Sequence, residues 1–165
     1  MTDTYLRLAL AESVDEVLEK MFFVRTLGEP RDQAGEPAVT AHLTFDGDPP
    51  GWLTLRVTAA AARSVAADFL GEEESELSQR QIGEVVCELA NMICGSVLSR
   101  VESNTTFRLA TPQLIASGEE GEPAGRQPGI PPSATTLAAQ IGSGAITVIF
   151  NTETTACSTA EKHEF

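Results

Sequence analysis

The run Gln81-Ile-Gly-Glu-Val-Val-Cys-Glu-Leu-Ala-Asn-Met-Ile-Cys-Gly-Ser-Val-Leu-Ser-Arg100 constrains this chain more than any other stretch. Apolar residues recur at Ile82, Val85, Val86, Leu89, Ile93 and Val97, a spacing of three and four that predicts one long helix. At about 100° per residue they gather on one side, which has to meet a core. Glu84, Glu88, Asn91 and Gly95 fall on the opposite side, within roughly 60° of one another. The helix thus carries a narrow stripe of two carboxylates, a carboxamide and a glycine that bares the backbone beside them.

The remaining elements follow from the same periodicities. Thr4–Phe23 reads as a helix with Leu6, Leu8 or Leu10, Val14, Val17, Leu18 and Met21 inside and Asp15, Glu16 and Glu19 outside. Val24–Leu27 suits a short strand, and Gly28–Pro37 a turn-rich loop. Ala38–Phe45 and Trp52–Val57 alternate around Gly47-Asp-Pro-Pro-Gly51 and predict a β-hairpin. Thr58 is placed to cap an alanine-rich helix, Ala59–Leu70, that Gly71 stops. The acidic run Glu72–Glu76 reads as a solvated lead-in to the central helix. Past Arg100 come Thr106–Ala110 and Gln113–Ala116, then a Gly/Pro/Glu-rich loop from about 117 to 133. Thr135–Ile141 and Ala145–Asn151, joined by Gly-Ser-Gly, form a second hairpin, and 154–165 a polar tail.

Helices and strands are segregated rather than strictly alternating, which favours an α+β sandwich of helices on a largely antiparallel sheet. One domain over 1–153 accounts for the chain, and 165 residues suffice for one core. Superposing the first helix on the central one aligns Asp15 with Glu84, Glu19 with Glu88 and Phe22 with Asn91. That hints at an internal duplication in which only the second copy keeps the polar stripe.

Charge narrows the partners. Twenty-four acidic against 11 basic residues leave a net charge of -13, and the charged clusters are acidic, which argues against nucleic acid and anionic membrane. A protein with a basic or mixed patch fits, although acidity also serves solubility. Cys87, Cys94 and Cys157 give no complete disulfide framework; the first two, on one helix flank, read as small semi-buried thiols. Met-Thr-Asp-Thr-Tyr shows no basic region followed by an apolar run, and no run of some 18 apolar residues occurs, so the expectation is a cytoplasmic protein without a secretory signal or a membrane span.

Nucleophilic catalysis finds little support. His42 lies on a strand, where it is expected to be exposed, and His163 in the tail; neither stands in a pattern with a Ser or Cys. Neither zinc-ligand spacing nor a phosphate loop is present. Glu84 and Glu88 are open to three readings: solvated decoration, a cation pair, or an acid/base pair. Asn91 is harder to pass over, because asparagine is a poor mid-helix residue and a solvated face does not call for it. A carboxamide both donates and accepts, so it can hold a water in a fixed direction without being a base. That suits a phosphoryl hydrolysis in which orientation carries most of the work.

Glu88-Leu-Ala-Asn91, followed by Met-Ile-Cys-Gly95, resembles the Glu-x-x-Asn signature of the CheC/CheX/FliY chemotaxis phosphatases. Gly51-Trp-Leu-Thr-Leu-Arg56 and the helix ending Ala-Asp-Phe-Leu-Gly71 resemble the segment preceding that signature. A single intact motif is more similar to CheX than to two-site CheC. The resemblance implies a CheC/CheX-like fold of long helices on a sheet with pseudo-symmetric halves, and a phosphatase acting on the phospho-aspartate of a CheY-like response regulator. It implies that Asn91 orients the attacking water, that Glu88 pairs with the regulator's active-site lysine, and that Glu84, Gly95 and Pro112 contact the partner. Glu84 stands where the family has Asp or Ser, and Pro112 comes slightly early for the family's proline. It further implies that Mg2+ belongs to the regulator, that this chain carries no cofactor of its own, and that it forms homodimers. A non-catalytic adaptor docking on a receiver through the same stripe is the alternative.

Overall fold

A computed structural model describes residues 3–30, 36–101, 105–115, 133–142 and 144–153. Most of the loop expected near 117–133, the 154–165 tail, Ala116, Ser143, Cys157 and His163 lie outside the described residues. The elements are α1 (Asp3–Met21), β1 (Ala38–Asp46), β2 (Gly51–Thr58), α2 (Ala59–Leu70), a 3₁₀ turn (Glu74–Glu76), α3 (Gln79–Ser99), β3 (Arg108–Leu109), β4 (Gln113–Ile115), β5 (Thr135–Ile141) and β6 (Gly144–Thr152).

The sheet is antiparallel, in the order β3-β1-β2-β6-β5, with β4 also on β1. Hairpins β1–β2 and β5–β6 therefore meet at the centre through β2 and β6, and a long helix precedes each in the chain. Pairs Leu53↔Phe150, Leu55↔Val148 and Val57↔Ile146 form the middle of the buried face. The three helices cover that face, as alternating strands with one apolar side require. Trp52, Thr54 and Arg56 point the other way. His42, on that same side, is half-buried rather than exposed: its Nδ1 lies 2.8 Å from Thr54 Oγ1 and its ring 5.6 Å from Trp52. The partial burial disfavours the charged imidazolium and lowers its pKa.

α3 is the spine of the core, burying Ile82, Val85, Val86, Leu89, Ile93 and Val97, among others, between α1, α2 and the sheet. By length and composition it could cross a membrane, yet 56% of its apolar window is buried inside the fold, as befits a core helix. It starts two residues earlier than the apolar period indicates. Ser78 caps it: Ser78 Oγ accepts from Gln81 N at 3.1 Å, and Gln81 Oε1 accepts from Ser78 N at 2.9 Å, a reciprocal capping box.

Thr58 precedes α2 as expected, but its hydroxyl does not cap the helix. It accepts the buried Ala145 amide at 3.0 Å, tying α2 to the start of β6. Gly144 permits that approach, since a Cβ there would run into Thr58 Oγ1 and Ala61. The acidic run is a short 3₁₀ turn with no buried residue.

α1 buries Leu10, not Leu8, and ends its apolar face on Phe22 rather than Met21. Phe22 follows Leu18 by four residues and stacks on Phe69 at 4.7 Å. The position aligned with Asn91 is thus committed to the core. Val24–Leu27 is not a strand; instead Leu27 N donates to Gln140 O and Gln140 N to Gly28 O, both at 2.8 Å, beside β5.

The chain leaves α1 through Phe23 at φ 56°, with Val24 N–H returning to the Leu18 carbonyl at 2.9 Å. A bulky side chain in the left-handed region is strained, and Phe23 is 79% exposed, so little packing offsets that cost. Phe23→Gly is expected to raise unfolding stability by about 1 kcal/mol, read as a higher denaturant midpoint at unchanged slope. An unchanged or lower midpoint would contradict the strain.

Arg100, just past α3, fastens it to α1. Its Nη2 donates to Glu16 Oε1 at 2.7 Å and its Nη1 to Ser13 and Ser96 Oγ at 3.3 and 2.6 Å. The Arg100 guanidinium, followed by Lys20, holds the Glu16 carboxyl below the usual carboxylate range. A carboxyl depressed on folding stabilises fully above its unfolded pKa and loses that contribution as pH falls through its folded value. The stability gap between the native protein and Arg100→Leu is therefore expected to be full above the ordinary glutamate value of 4.5 and to narrow as the pH falls below it. Paired denaturant titrations check it; a constant gap would remove the carboxylate from the account.

Candidate active site

The stripe of α3 does not lie on open surface. Glu84, Glu88 and Asn91 form one wall of an open groove of about 530 Å³, and Pro112 stands on the other. Four of the five residues singled out in the sequence are thus brought together. Gly95, one turn past Asn91, is not part of the lining, and a Cβ there would meet nothing within 4 Å. Glu84 and Glu88 are exposed, whereas Asn91 is half-buried.

The helical wall holds still because its far side is core: Leu89, Ala90, Ile93 and Cys94 around Asn91 are completely buried. Burial pushes the Cys94 thiol up to about 12, so it is an inert filler. Cys87, on the groove wall, is also raised, first by partial burial and then by the Glu84 charge. Arg80 Nε donates to Glu84 Oε2 at 3.1 Å one turn earlier. Glu84 is therefore already paired, while among the described residues Glu88 has no ion pair or side-chain hydrogen bond. Among the described residues, no group of three or more His, Cys, Asp or Glu could hold a metal ion.

The second wall was legible only in part: the segments on either side of Pro112 could be named in the sequence, but not their pairing along β1. β3 and β4 lie end to end along β1, Leu109 opposite Phe45 and Gln113 opposite His42. Between them Ala110, Thr111 and Pro112 face only Leu43 and Thr44, which makes a β-bulge. Ala110 N still donates to Thr44 O at 2.9 Å, but Pro112 has no N–H to offer and sits on an edge strand, where proline is tolerated. The extra residue resets the alternation, so Leu109 and Leu114 both fall on the helix side of the sheet. Leu114, 48% exposed, leans onto α3 over Gly83, where an added Cβ would lie 2.5 Å from Leu114 Cδ1. A glycine in a helix interior was the one available signal of that close approach.

The arrangement suits docking of a protein surface whose reactive group enters the groove. One wall supplies an exposed carboxylate and a restrained carboxamide, the other an apolar edge.

The fold is that of the CheX/CheC-like α+β proteins, long helices over one antiparallel sheet. Residues 39–130, more than half the chain, match the model of the family described as Chemotaxis phosphatase CheX, and the chain belongs to that family. No curated protein sequence matches it significantly. Among solved structures, the chemotaxis protein CheX from Desulfovibrio desulfuricans superposes with a TM-score of 0.67 at 20% identity, over 90% of this chain and 99% of that one. CheX from Vibrio vulnificus gives 0.67 at 16% identity, over 93% and 99%. A CheX-CheY-BeF3-Mg+2 complex from Borrelia burgdorferi contributes a chain that gives 0.63 at 15% identity, over 88% and 96%. At these identities the likeness speaks for the fold.

Proposed function

We propose that the protein removes the phosphoryl group from the phospho-aspartate of a CheY-like response regulator, with Asn91 orienting the attacking water and Glu88 docking on the regulator's active-site lysine. The observation that carries this is the pair itself: Glu88 and Asn91, one turn apart, on the same wall of an open groove in a chain of the CheX family. The structure of a CheX relative in complex with CheY supports the choice of partner.

Water oxygen bonds to phosphorus, the aspartate carboxylate leaves with the bonding pair, and the water proton passes to solvent or the released phosphate. A carboxylate is a good leaving group, so the protein has little covalent chemistry to do and positioning dominates. The Asn91 carboxamide can accept from the water while donating to a neighbouring oxygen. Half-burial limits its rotamers, so part of the orientational entropy is spent on folding rather than in the transition state. Glu88, unlike Glu84, has its carboxylate available for a charge-assisted bond to a lysine.

Glu84 and Pro112 flank the docked partner on either wall, and Gly95 lets its backbone approach one turn beyond. Mg2+ stays with the regulator, and this chain contributes no cofactor. The working form is a cytoplasmic homodimer. The test is the decay of a phosphorylated receiver from the same organism with and without this protein, beside Asn91→Ala. Acceleration lost in the variant upholds the reading; binding without acceleration makes the chain an adaptor.

A further inference from the structure

The groove has a part that the water-positioning pair leaves unused. Its second wall brings Leu114 down onto α3 at Gly83, one turn before Cys87 and two before Asn91. Three observations make this contact look built. The bulge at Ala110–Pro112 turns Leu114 to the helix side. Gly83 is buried in the helix interior, where glycine costs stability relative to alanine, and the three nearest atoms that a Cβ there would meet all belong to the Leu114 side chain. Leu114 nevertheless remains 48% exposed, although seated on the core side of the sheet.

Resting on the function proposed above, we propose that Leu114 is a specificity-determining lip of the groove and Gly83 the positioning residue that sets its height. The partner that fits carries an apolar side chain beside the cation that Glu88 receives. Charge and apolar surface are then read together, on opposite walls, and a receiver with a polar residue at that point docks poorly. Chemistry is expected to be untouched, because Leu114 meets α3 at Gly83, two turns before Asn91. Its contact exists equally in ground and transition states, which places the effect in KM.

The experiment is a double-mutant cycle on receiver dephosphorylation, with receiver binding titrated alongside. Gly83→Ala lifts the lip and is expected to raise KM roughly fivefold to tenfold at unchanged kcat, with no loss of melting temperature, since alanine favours the helix. Leu114→Ala removes the lip and raises KM by a similar factor. The double variant should be no worse than Leu114→Ala alone, because the new Cβ then meets nothing. KM within twofold of the native value in Gly83→Ala, a fall in kcat alone, or strictly additive effects would each overturn the lip. Failure of the native protein to accelerate any receiver is read from the native arm and overturns the function; the binding titration then decides the lip by the same criteria.

Discussion

Asn91→Ala is expected to lower stimulated dephosphorylation of the receiver by about a hundredfold or more, to near the receiver's own rate, while fold and affinity stay nearly intact. The size follows from what the side chain is asked to do. A misplaced water forfeits most of the benefit of holding two reactants in line, and among the described residues lining the groove no other carries a carboxamide. The stability effect is small because Asn91 is half-buried on the rim of a helix whose opposite face carries the core contacts, and alanine is the better helix former. Time courses of phosphoreceiver decay at saturating protein give the kcat loss, and a thermal melt the fold. A variant that retains native turnover would remove Asn91 from the mechanism.

Glu88→Lys acts on a different step. It puts a cation where the partner is expected to offer its own, and like charges face to face at an interface cost several kcal/mol, part of it screened at so exposed a site. We expect receiver affinity to fall by about tenfold or more at low salt, and the loss to shrink as ionic strength rises. Glu88→Gln should fall between the two. Titration of the receiver at two salt concentrations checks this; an affinity indifferent to both charge and salt would exclude the lysine contact.

The helical wall was readable in the sequence because it obeys one period. Three-and-four spacing located α3, and the same arithmetic put Glu84, Glu88 and Asn91 on its far side. The hairpins yielded to alternation for a like reason. Of the opposing wall, Pro112 and its flanking segments were named but their pairing escaped, because strands of two and three residues carry no period and their partner β1 lies more than 60 positions earlier. Gly83 could be seen but not explained, since its reason is a leucine 31 positions on. Phe22 in place of Met21 was a choice between neighbours on a helix already near its end, settled by Phe69. Thr58 shows that a good cap residue in a crowded place can serve a tertiary bond instead. The Ser78 box was plainly written as Ser-x-x-Gln and simply precedes the apolar period that drew attention.

The two walls of the groove differ in how they are held. α3 is pinned by a capping box at one end, by Arg100 and α1 at the other, and by its buried face in between. The bulged edge is secured by short ladders on a single neighbour, with a proline interrupting them. Substitutions between 108 and 115 can therefore reshape the entrance without disturbing Asn91, the residue proposed to aim the water. A lineage could retarget such an enzyme to a different receiver by rewriting that border alone, leaving turnover chemistry untouched.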